Sequence, residues 1–284
     1  MKTLLIPVDF SPSSDNAVRY AAQLSGAPAN KIGRIILLHS YFVSIYEQIL
    51  PSPDLIQVGE EEVLEKRKQV KDRLARLARE IFADLPPDIA IEQVCSALPL
   101  IRAILQQEKD KKPDLLILGS SENGDPAAGN IAAQLIWITK ASPVPVLIVP
   151  PHTSYAVTNR VLLPCDFRTL SNTDPLKSLA ASHDWIKKDL LVLNVDPDLK
   201  RAQPDEKFRA VSERLNTWLK EIPHEIYYSD EPDILRGILG FAEEKQVDLV
   251  IALPGKHSFF YALTHKSITD ALSVNAQKPV LILK

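Results

Sequence analysis

Short apolar segments alternate with longer stretches of helical periodicity along the whole chain. The apolar segments are predicted strands at 3–8, 34–39, 89–94, 114–118 and 144–149, and again at 160–165, 190–195, 225–228, 248–253 and 279–283. Most of them are apolar throughout, which is typical of parallel strands covered on both faces. Strands that alternate with helices predict an α/β fold with a parallel sheet.

The helical stretches carry apolar stripes on otherwise polar surfaces. The first helix is predicted to begin at Ser11 or Ser13, because serine caps helices and Pro12 suits a first turn. The longest helix covers 60–83, and its apolar stripe consists of Val63, Val70, Leu74, Leu77 and Ile81. Further helices are predicted at 98–109, 128–140, 205–220, 231–246 and 259–275, with another that has Pro175 in its first turn.

A long connection at 41–59 carries several aromatic and aliphatic side chains. Connections of this length are often functional or form interfaces. Two interpretations stay open: a flap that packs on its own domain, or a cover for a ligand or a partner. In both cases we expect the segment to lie against another surface, because exposed apolar patches are avoided.

The sequence restarts just past the middle of its 284 residues. An apolar run followed by Pro7-Val8-Asp9-Phe10 is echoed by a second run followed by Pro164-Cys165-Asp166-Phe167. A repeat of this size predicts two homologous domains. We place the first domain at 1–150 and the second at 157–284, with a linker around Pro150–Ser154.

The composition and net charge argue against nucleic acids and membranes as partners. The chain is 45% hydrophobic and 24% charged, with a formal net charge of −3, which is ordinary for a globular protein. Such a charge offers no basic field for nucleic acid and no polybasic surface for a membrane. We find neither an apolar run long enough to cross a membrane nor the pattern of a signal peptide, and we therefore expect a cytoplasmic protein.

The two cysteines, Cys95 and Cys165, are both predicted to lie inside strands. We interpret them as small buried apolar residues. A disulfide is not expected in a reducing compartment, and their spacing does not suit a zinc site.

The repeated motifs resemble those of the universal stress protein family. The resemblance rests on the opening Pro-Val-Asp-Phe-Ser, on Asp-Leu-Leu-Ile-Leu-Gly-Ser at 114–120, and on Ala-Ser-Pro-Val-Pro-Val-Leu-Ile-Val at 141–149. Related segments recur at 166–167, 248–251 and 278–282, so the resemblance covers nearly the whole chain.

What the resemblance implies is an adenine nucleotide alpha hydrolase-like fold in each half. Each half would hold a five-stranded parallel sheet in the order 3-2-1-4-5, with helices on both faces. Some members of the family bind ATP and others do not. The family is associated with stress survival more than with one reaction.

In that strand order the direction of winding reverses between strands one and four, and ligands bind at such a reversal. Asp9 and Gly119 flank this crevice in the first half, and Asp166 and the turn at 252–255 flank it in the second. An aspartate there can bind a ribose or an adenine, and a glycine-rich turn can offer N–H groups to phosphates. The alternative for Asp9 is a helix cap or a turn residue.

Members that bind ATP carry a glycine, two residues, a second glycine, nine residues, and then glycine with serine or threonine. In the first half Gly119 matches the first glycine, but Glu122 stands at the second. The final pair falls on Ala132-Ala133, or on Gly129-Asn130 in a shifted register. The carboxylate of Glu122 would repel a triphosphate, so we expect no tight ATP binding in this half.

The second half departs from the motif differently. Ala252 replaces the first glycine, Gly255 keeps the second, and Lys266-Ser267 falls at the final pair. Any nucleotide or phosphate is therefore predicted to bind between Asp166 and the 255–267 segment. Further basic or titratable residues there, with exposed or capping roles as the alternative for the histidines, are Lys256, His257 and His265.

No P-loop, Gly-x-Gly-x-x-Gly, His-Glu-x-x-His or nucleophile elbow occurs in the sequence. The first hypothesis is a non-enzymatic tandem stress-response module with degraded ATP motifs and no cofactor, acting through an unknown protein partner. The alternative is a module that binds ATP, ADP or AMP in one half, with or without slow hydrolysis. A third option is an enzyme or small-molecule binder that uses the same crevice.

The two domains are also expected to pack on each other as a pseudo-dimer about a pseudo-two-fold axis. The segments 146–149 and 280–283 are strongly apolar, yet the implied topology puts both at sheet edges. An apolar edge must be covered or paired. Antiparallel pairing of one edge with the other satisfies this requirement.

Overall fold

The structure of the chain is a computed structural model. It describes residues 1–42, 60–121, 129–165, 189–196, 213, 215–217, 219, 222–252 and 278–284. The first half contains β1 (Lys2–Pro7), α1 (Pro12–Gly26), a 3-10 turn (Pro28–Asn30), β2 (Ile32–Ser40), α2 (Glu60–Ile81), β3 (Ala90–Ser96), α3 (Leu100–Lys111), β4 (Leu115–Gly119), α4 (Gly129–Ala133), α5 (Leu135–Ala141) and β5 (Val146–Val149).

The described part of the second half repeats this arrangement. It contains β6 (Arg160–Pro164), β7 (Asp189–Val195), β8 (His224–Ser229), α6 (Ile234–Glu244), β9 (Leu249–Ala252) and β10 (Val280–Ile282). The predicted helices at 259–275 and around Pro175, most of the predicted helix at 205–220, and the connection at 43–59 lie outside the described residues.

The ten strands form one sheet in the order β3-β2-β1-β4-β5-β10-β9-β6-β7-β8. All pairings within each half are parallel, with β1 between β2 and β4 and β6 between β7 and β9. Each half therefore has the strand order 3-2-1-4-5, and the predicted fold class is confirmed.

The two halves meet edge to edge through β5 and β10. These strands pair antiparallel, with Val280 opposite Ile148, Leu281 opposite Leu147 and Ile282 opposite Val146. The predicted pairing of the apolar edges is therefore confirmed. It leaves neither strand with an open apolar edge. The domain boundaries and the pseudo-two-fold packing of whole halves stay predictions.

Two apolar layers cover the sheet, one on each face, and both continue across the seam between the halves. One layer joins α1 and α2 to residues of β1, β5, β6 and β10. The other joins α3, α5 and α6 to residues of the opposite face of the same sheet. The side chains that stand next to the seam are fully buried in these layers.

The aspartate that opens the repeated Asp-Leu motif ties neighbouring strands together where they begin. In the first half Asp114 Oδ2 accepts a hydrogen bond of 2.7 Å from the Thr3 backbone N–H. In the second half Asp248 Oδ2 accepts from the N–H groups of Asn159 (2.8 Å) and Arg160 (3.0 Å). The motif therefore has a structural purpose at the end of the sheet opposite the crevice.

Two local predictions can be compared with the structure. Ser11 caps α1, since its Oγ accepts from the Ser14 N–H at 3.3 Å, which decides between the two predicted caps. The helix predicted at 128–140 is divided into α4 and α5, because the Gln134 N–H is shared between the carbonyls of Asn130 and Ile131 and tightens the turn there.

Neither Cys95, which is half-buried in β3, nor Cys165, which is buried directly after β6, forms a disulfide. Within the described segments, no helix has the length and apolar character needed to cross a membrane.

Candidate functional site

The crevice predicted from the topology lies where β1 and β4 end side by side. The two strands are parallel neighbours, with Leu4 opposite Leu115 and Leu5 opposite Leu116. Asp9 follows β1 by two residues, and Gly119 is the last residue of β4. Both predicted first-half residues therefore lie at the carboxyl edge of the sheet, at the reversal of winding.

Both carboxylate oxygens of Asp9 are already used by the protein. Oδ1 accepts from Ser11 twice, from its N–H at 3.1 Å and from its Oγ at 2.6 Å. Oδ2 accepts from the backbone N–H of Ile131, in the first turn of α4, at 2.9 Å. Asp9 thus connects the end of β1 to α4, which is the cap or turn interpretation left open by the sequence.

Gly129 closes the space between Asp9 and α4. It has φ of +81°, where a side chain would be strained, and a Cβ added to it would lie 2.5 Å from Asp9 Oδ2 and 2.5 Å from Ser11 Cβ. Glycine is needed here because the side chains of Asp9 and Ser11 lie too close to its backbone to leave room for a Cβ atom. In the described residues, Asp9 Oδ2 therefore occupies the space in front of the first turn of α4.

Gly119 is also required for packing. A Cβ at this position would lie 2.0 Å from the Ser13 carbonyl oxygen, because the first turn of α1 rests directly on the end of β4. The packing of α1 is therefore sufficient to explain why this position is glycine, although the sequence analysis assigned it to a ligand-binding turn. Its predicted contact with a cofactor stays a prediction.

An aromatic cluster that the sequence did not predict lies on the β2 side of Asp9. Phe10 has φ of +60°, a rare conformation for a bulky residue. Its ring centroid lies 4.9 Å from that of His39 and 4.1 Å from the Arg73 guanidinium carbon on α2. His39 is held in turn by a contact of 2.7 Å between its Nδ1 and the Val8 carbonyl. The sequence feature that could have predicted this cluster is the phenylalanine that follows both Asp9 and Asp166.

A cavity of about 370 Å³ opens beside α1, on the β4 and linker side of the crevice. Burial raises the pKa of the Asp15 carboxyl on its wall, and the guanidinium groups of Arg19 and Arg73 oppose that rise. The other lining residues are Pro12, Ser13, Asn16, Arg19, Ser120, Ser121, Pro151 and His152. No group of three or more metal-ligating side chains occurs in the part of the chain described.

The second-half candidates Asp166, Gly255, Lys266 and Ser267 lie outside the described residues, as does Glu122 in the first half. The strands that lead to the second-half candidates are adjacent, since β6 pairs with β9 in parallel. The carboxyl ends of both strands therefore lie at the same edge of the sheet.

A family model described as the universal stress protein family matches residues 1–150, which is more than half of the chain. The chain belongs to the universal stress protein family. The match includes the crevice built by Asp9, Gly119 and Gly129. No curated protein is similar enough to count as a match.

Solved structures of universal stress proteins share the fold over the full length of this chain. One from Archaeoglobus fulgidus DSM 4304 has a TM-score of 0.65 at 15% identity, covering 100% of this chain and 96% of its own. A putative universal stress protein from Pseudomonas aeruginosa UCBPP-PA14 has a TM-score of 0.59 at 13% identity, covering 100% of this chain and 93% of its own. At these identities the likeness shows the fold over the full length of this chain.

Replacing Asp9 by alanine is expected to destabilise the folded protein by about 1–3 kcal/mol, because the buried N–H of Ile131 and the Ser11 hydroxyl lose their acceptor. Chemical denaturation followed by circular dichroism measures this loss. Asp88→Ala is the control, since Asp88 is exposed in a loop. Equal stability of the two variants would contradict a structural role for Asp9.

Proposed function

We propose that this universal stress protein is a non-enzymatic stress-response module that acts through a protein partner, and that its first-half crevice binds no nucleotide. The observation that supports this proposal is the hydrogen bond from the Ile131 N–H to Asp9 Oδ2 at 2.9 Å. The N–H group that a phosphate would use is occupied by a carboxylate of the same chain.

The free-energy balance argues against ATP in the first half. A bound triphosphate would have to displace Asp9 from Ile131, and each displaced hydrogen bond that is not replaced costs about 1–3 kcal/mol. The phosphates would then lie beside the Asp9 carboxylate, and in the sequence Glu122 adds a second negative charge. On the β2 side of Asp9, the Phe10 ring lies against both His39 and Arg73.

The second candidate function is nucleotide binding in the second half. It rests on the retained Gly255 and on the basic and hydroxyl side chains of Lys266 and Ser267. An ammonium and a hydroxyl can both donate hydrogen bonds to a phosphate. ATP, ADP or AMP would bind there between Asp166 and the 255–267 segment.

Calorimetric titration of ATP into wild type, Asp9→Ala and Asp166→Ala tests both proposals. We expect either no binding heat in any of the three proteins or a heat that only Asp166→Ala abolishes. Mass spectrometry of the supernatant released by heating the purified protein checks for a nucleotide that was already bound. Loss of binding in Asp9→Ala, with binding kept in Asp166→Ala, would overturn the proposal for the first half.

A further inference from the structure

Another cavity of about 370 Å³ lies where the linker passes from the first half to the second, and it is here called the linker cavity. Its walls come from α1, from the linker and from the residues just before β9 and β10. Its volume falls within the range of about 300–1,000 Å³ that is usual for small-molecule sites. The lining residues are Tyr20, Pro151, His152, Thr153, Ser154, Ala156, Asp248, Lys278 and Pro279. None of them belongs to the crevice at Asp9, so the linker cavity is a separate site.

The linker wall of this cavity is fixed against the first half by hydrogen bonds. Asn16 Nδ2, on α1, donates to the Pro150 carbonyl at 2.9 Å. The Tyr155 N–H donates to Gln23 Oε1 at 2.7 Å, and the Tyr155 hydroxyl accepts from Asn30 Nδ2 at 3.0 Å. A wall that is held in place before a ligand arrives loses little conformational entropy on binding, which favours affinity.

Tyr20 contributes a hydroxyl donor to the linker cavity. It is only 6% exposed, and its ring packs edge-on against Tyr155 with the centroids 5.7 Å apart. Burial raises the pKa of the Tyr20 phenol, and the charges of Tyr155 and Asp248 add to the rise, so the hydroxyl keeps its proton at physiological pH. In the part of the chain described, this hydroxyl forms no hydrogen bond. A nearly buried donor in this state gains from an acceptor that a ligand brings.

Lys278 contributes a positive charge from the second half. It is half-buried just before β10, and it forms no salt bridge with any residue in the described ranges. The acidic residue of the wall, Asp248, is already engaged, because its Oδ2 accepts from the N–H groups of Asn159 and Arg160. The linker cavity therefore offers an ammonium and a phenol hydroxyl as donors to a ligand.

The remaining walls suit the apolar body of an organic ligand. Pro151, Ala156 and Pro279 contribute aliphatic surface, beside the ring of Tyr20. A site with a few polar groups on a mainly apolar surface is typical of small-molecule recognition, because the polar groups fix the orientation of the ligand.

We propose that the linker cavity binds a small organic oxyanion, namely a carboxylate or a phosphate monoester on a compact apolar body. Lys278 and Tyr20 donate to its anionic oxygens, and hydrogen bonds to a charged group are stronger than neutral ones. The bound molecule contacts both halves, since Tyr20 and the linker belong to the first half and Lys278 to the second. This site goes beyond the proposed function and does not depend on whether either half binds a nucleotide.

Ligand-observed NMR on the full chain tests the proposal with three probes. Benzoate and phenyl phosphate carry the two candidate oxyanions on the same ring, and benzamide is the neutral counterpart of benzoate. We expect at least one of the anions to bind with a Kd of about 1 mM, as is usual for so small a molecule. Benzamide should bind roughly tenfold more weakly, because it lacks the charge. Binding of benzoate alone identifies a carboxylate site, and binding of phenyl phosphate alone identifies a phosphate site.

Three variants locate the binding. Lys278→Met should weaken binding of the anion by roughly tenfold, the effect of losing one charged hydrogen bond. Tyr20→Phe should weaken it by roughly threefold and leave the Tm of the free protein unchanged or slightly higher, because the lost hydroxyl has no partner among the described residues. Lys109→Met, at an exposed position on α3, removes the same charge elsewhere and should bind as wild type does.

Four results would each overturn the proposal. The first is that neither anion binds at about 10 mM, well above the expected Kd. The second is that benzamide binds as tightly as benzoate, and the third is that Lys278→Met binds as tightly as Lys109→Met. The fourth is a Tm of free Tyr20→Phe several degrees below that of wild type, since the hydroxyl would then have a partner within the protein.

Discussion

Gly119→Ala is expected to destabilise the protein by about 3 kcal/mol or more, although it adds a single methyl group. The new Cβ would lie 2.0 Å from the Ser13 carbonyl oxygen and 2.5 Å from the carbonyl carbon. Both atoms belong to the backbone of α1, so no side chain can move to relieve the overlap. Either α1 shifts away from β4, or the end of β4 is distorted, and each change disturbs the buried layer beneath α1.

Urea denaturation followed by circular dichroism measures this effect, and the chain offers a matched control. Gly240 lies inside α6, and a Cβ there would have no atom within 4 Å. Gly240→Ala should therefore stabilise the protein by about 0.5–1 kcal/mol, since alanine favours helix more than glycine does. If Gly119→Ala were as stable as wild type, the close approach of α1 to β4 would be wrong, and a ligand role for this glycine would regain its support.

Leu281→Ala is expected to cost about 2–5 kcal/mol, the range for removing a fully buried leucine side chain. Leu281 is completely buried in β10 and lies opposite Leu147 of β5, across the antiparallel seam. Both side chains belong to the same apolar layer, which extends over both halves. The cavity left by alanine would therefore weaken the contact between the halves.

The number of unfolding transitions is the more specific part of this prediction. Because both apolar layers cross the seam, wild type should unfold in one transition, and Leu281→Ala should shift that whole transition. Tryptophan fluorescence reports on both halves, since Trp137 lies in the first and Trp185 and Trp218 in the second. Val157→Ala, at a position 59% exposed, should change stability by less than about 0.5 kcal/mol. Two separate transitions, with only one shifted in Leu281→Ala, would show that the halves fold independently.

The crevice of this universal stress protein shows why a motif by itself does not determine a binding site. Asp9 and Gly119 occupy the positions that the topology predicts for ligand residues. In the structure Asp9 binds Ile131, and Gly119 accommodates Ser13. Both residues therefore have structural roles that are sufficient to explain them, and this is the physical basis for proposing that the first half holds no nucleotide.

The sequence by itself determined most of the described strands and helices and, through the family resemblance, their order in the sheet. Periodicity separates strands from helices, because burial on one or both faces repeats with the period of the element. The doubled Pro-x-Asp-Phe motif indicated two domains, and the family resemblance implied the strand order that the sheet has. Two strongly apolar segments at predicted edges were enough to predict the pairing of β5 with β10, because an apolar edge cannot remain open to water.

Only the tertiary structure decided which distant side chains meet. Asp9 with Ile131, Phe10 with Arg73, and Thr139 with Lys284 are partners from different elements, and the last pair comes from different halves. Such contacts depend on how closely two elements pack and on where each side chain points, and neither quantity leaves a periodic signal in the sequence. The requirement for glycine at 119 and 129 has the same origin, since it is set by backbone and side-chain atoms that approach from another part of the chain.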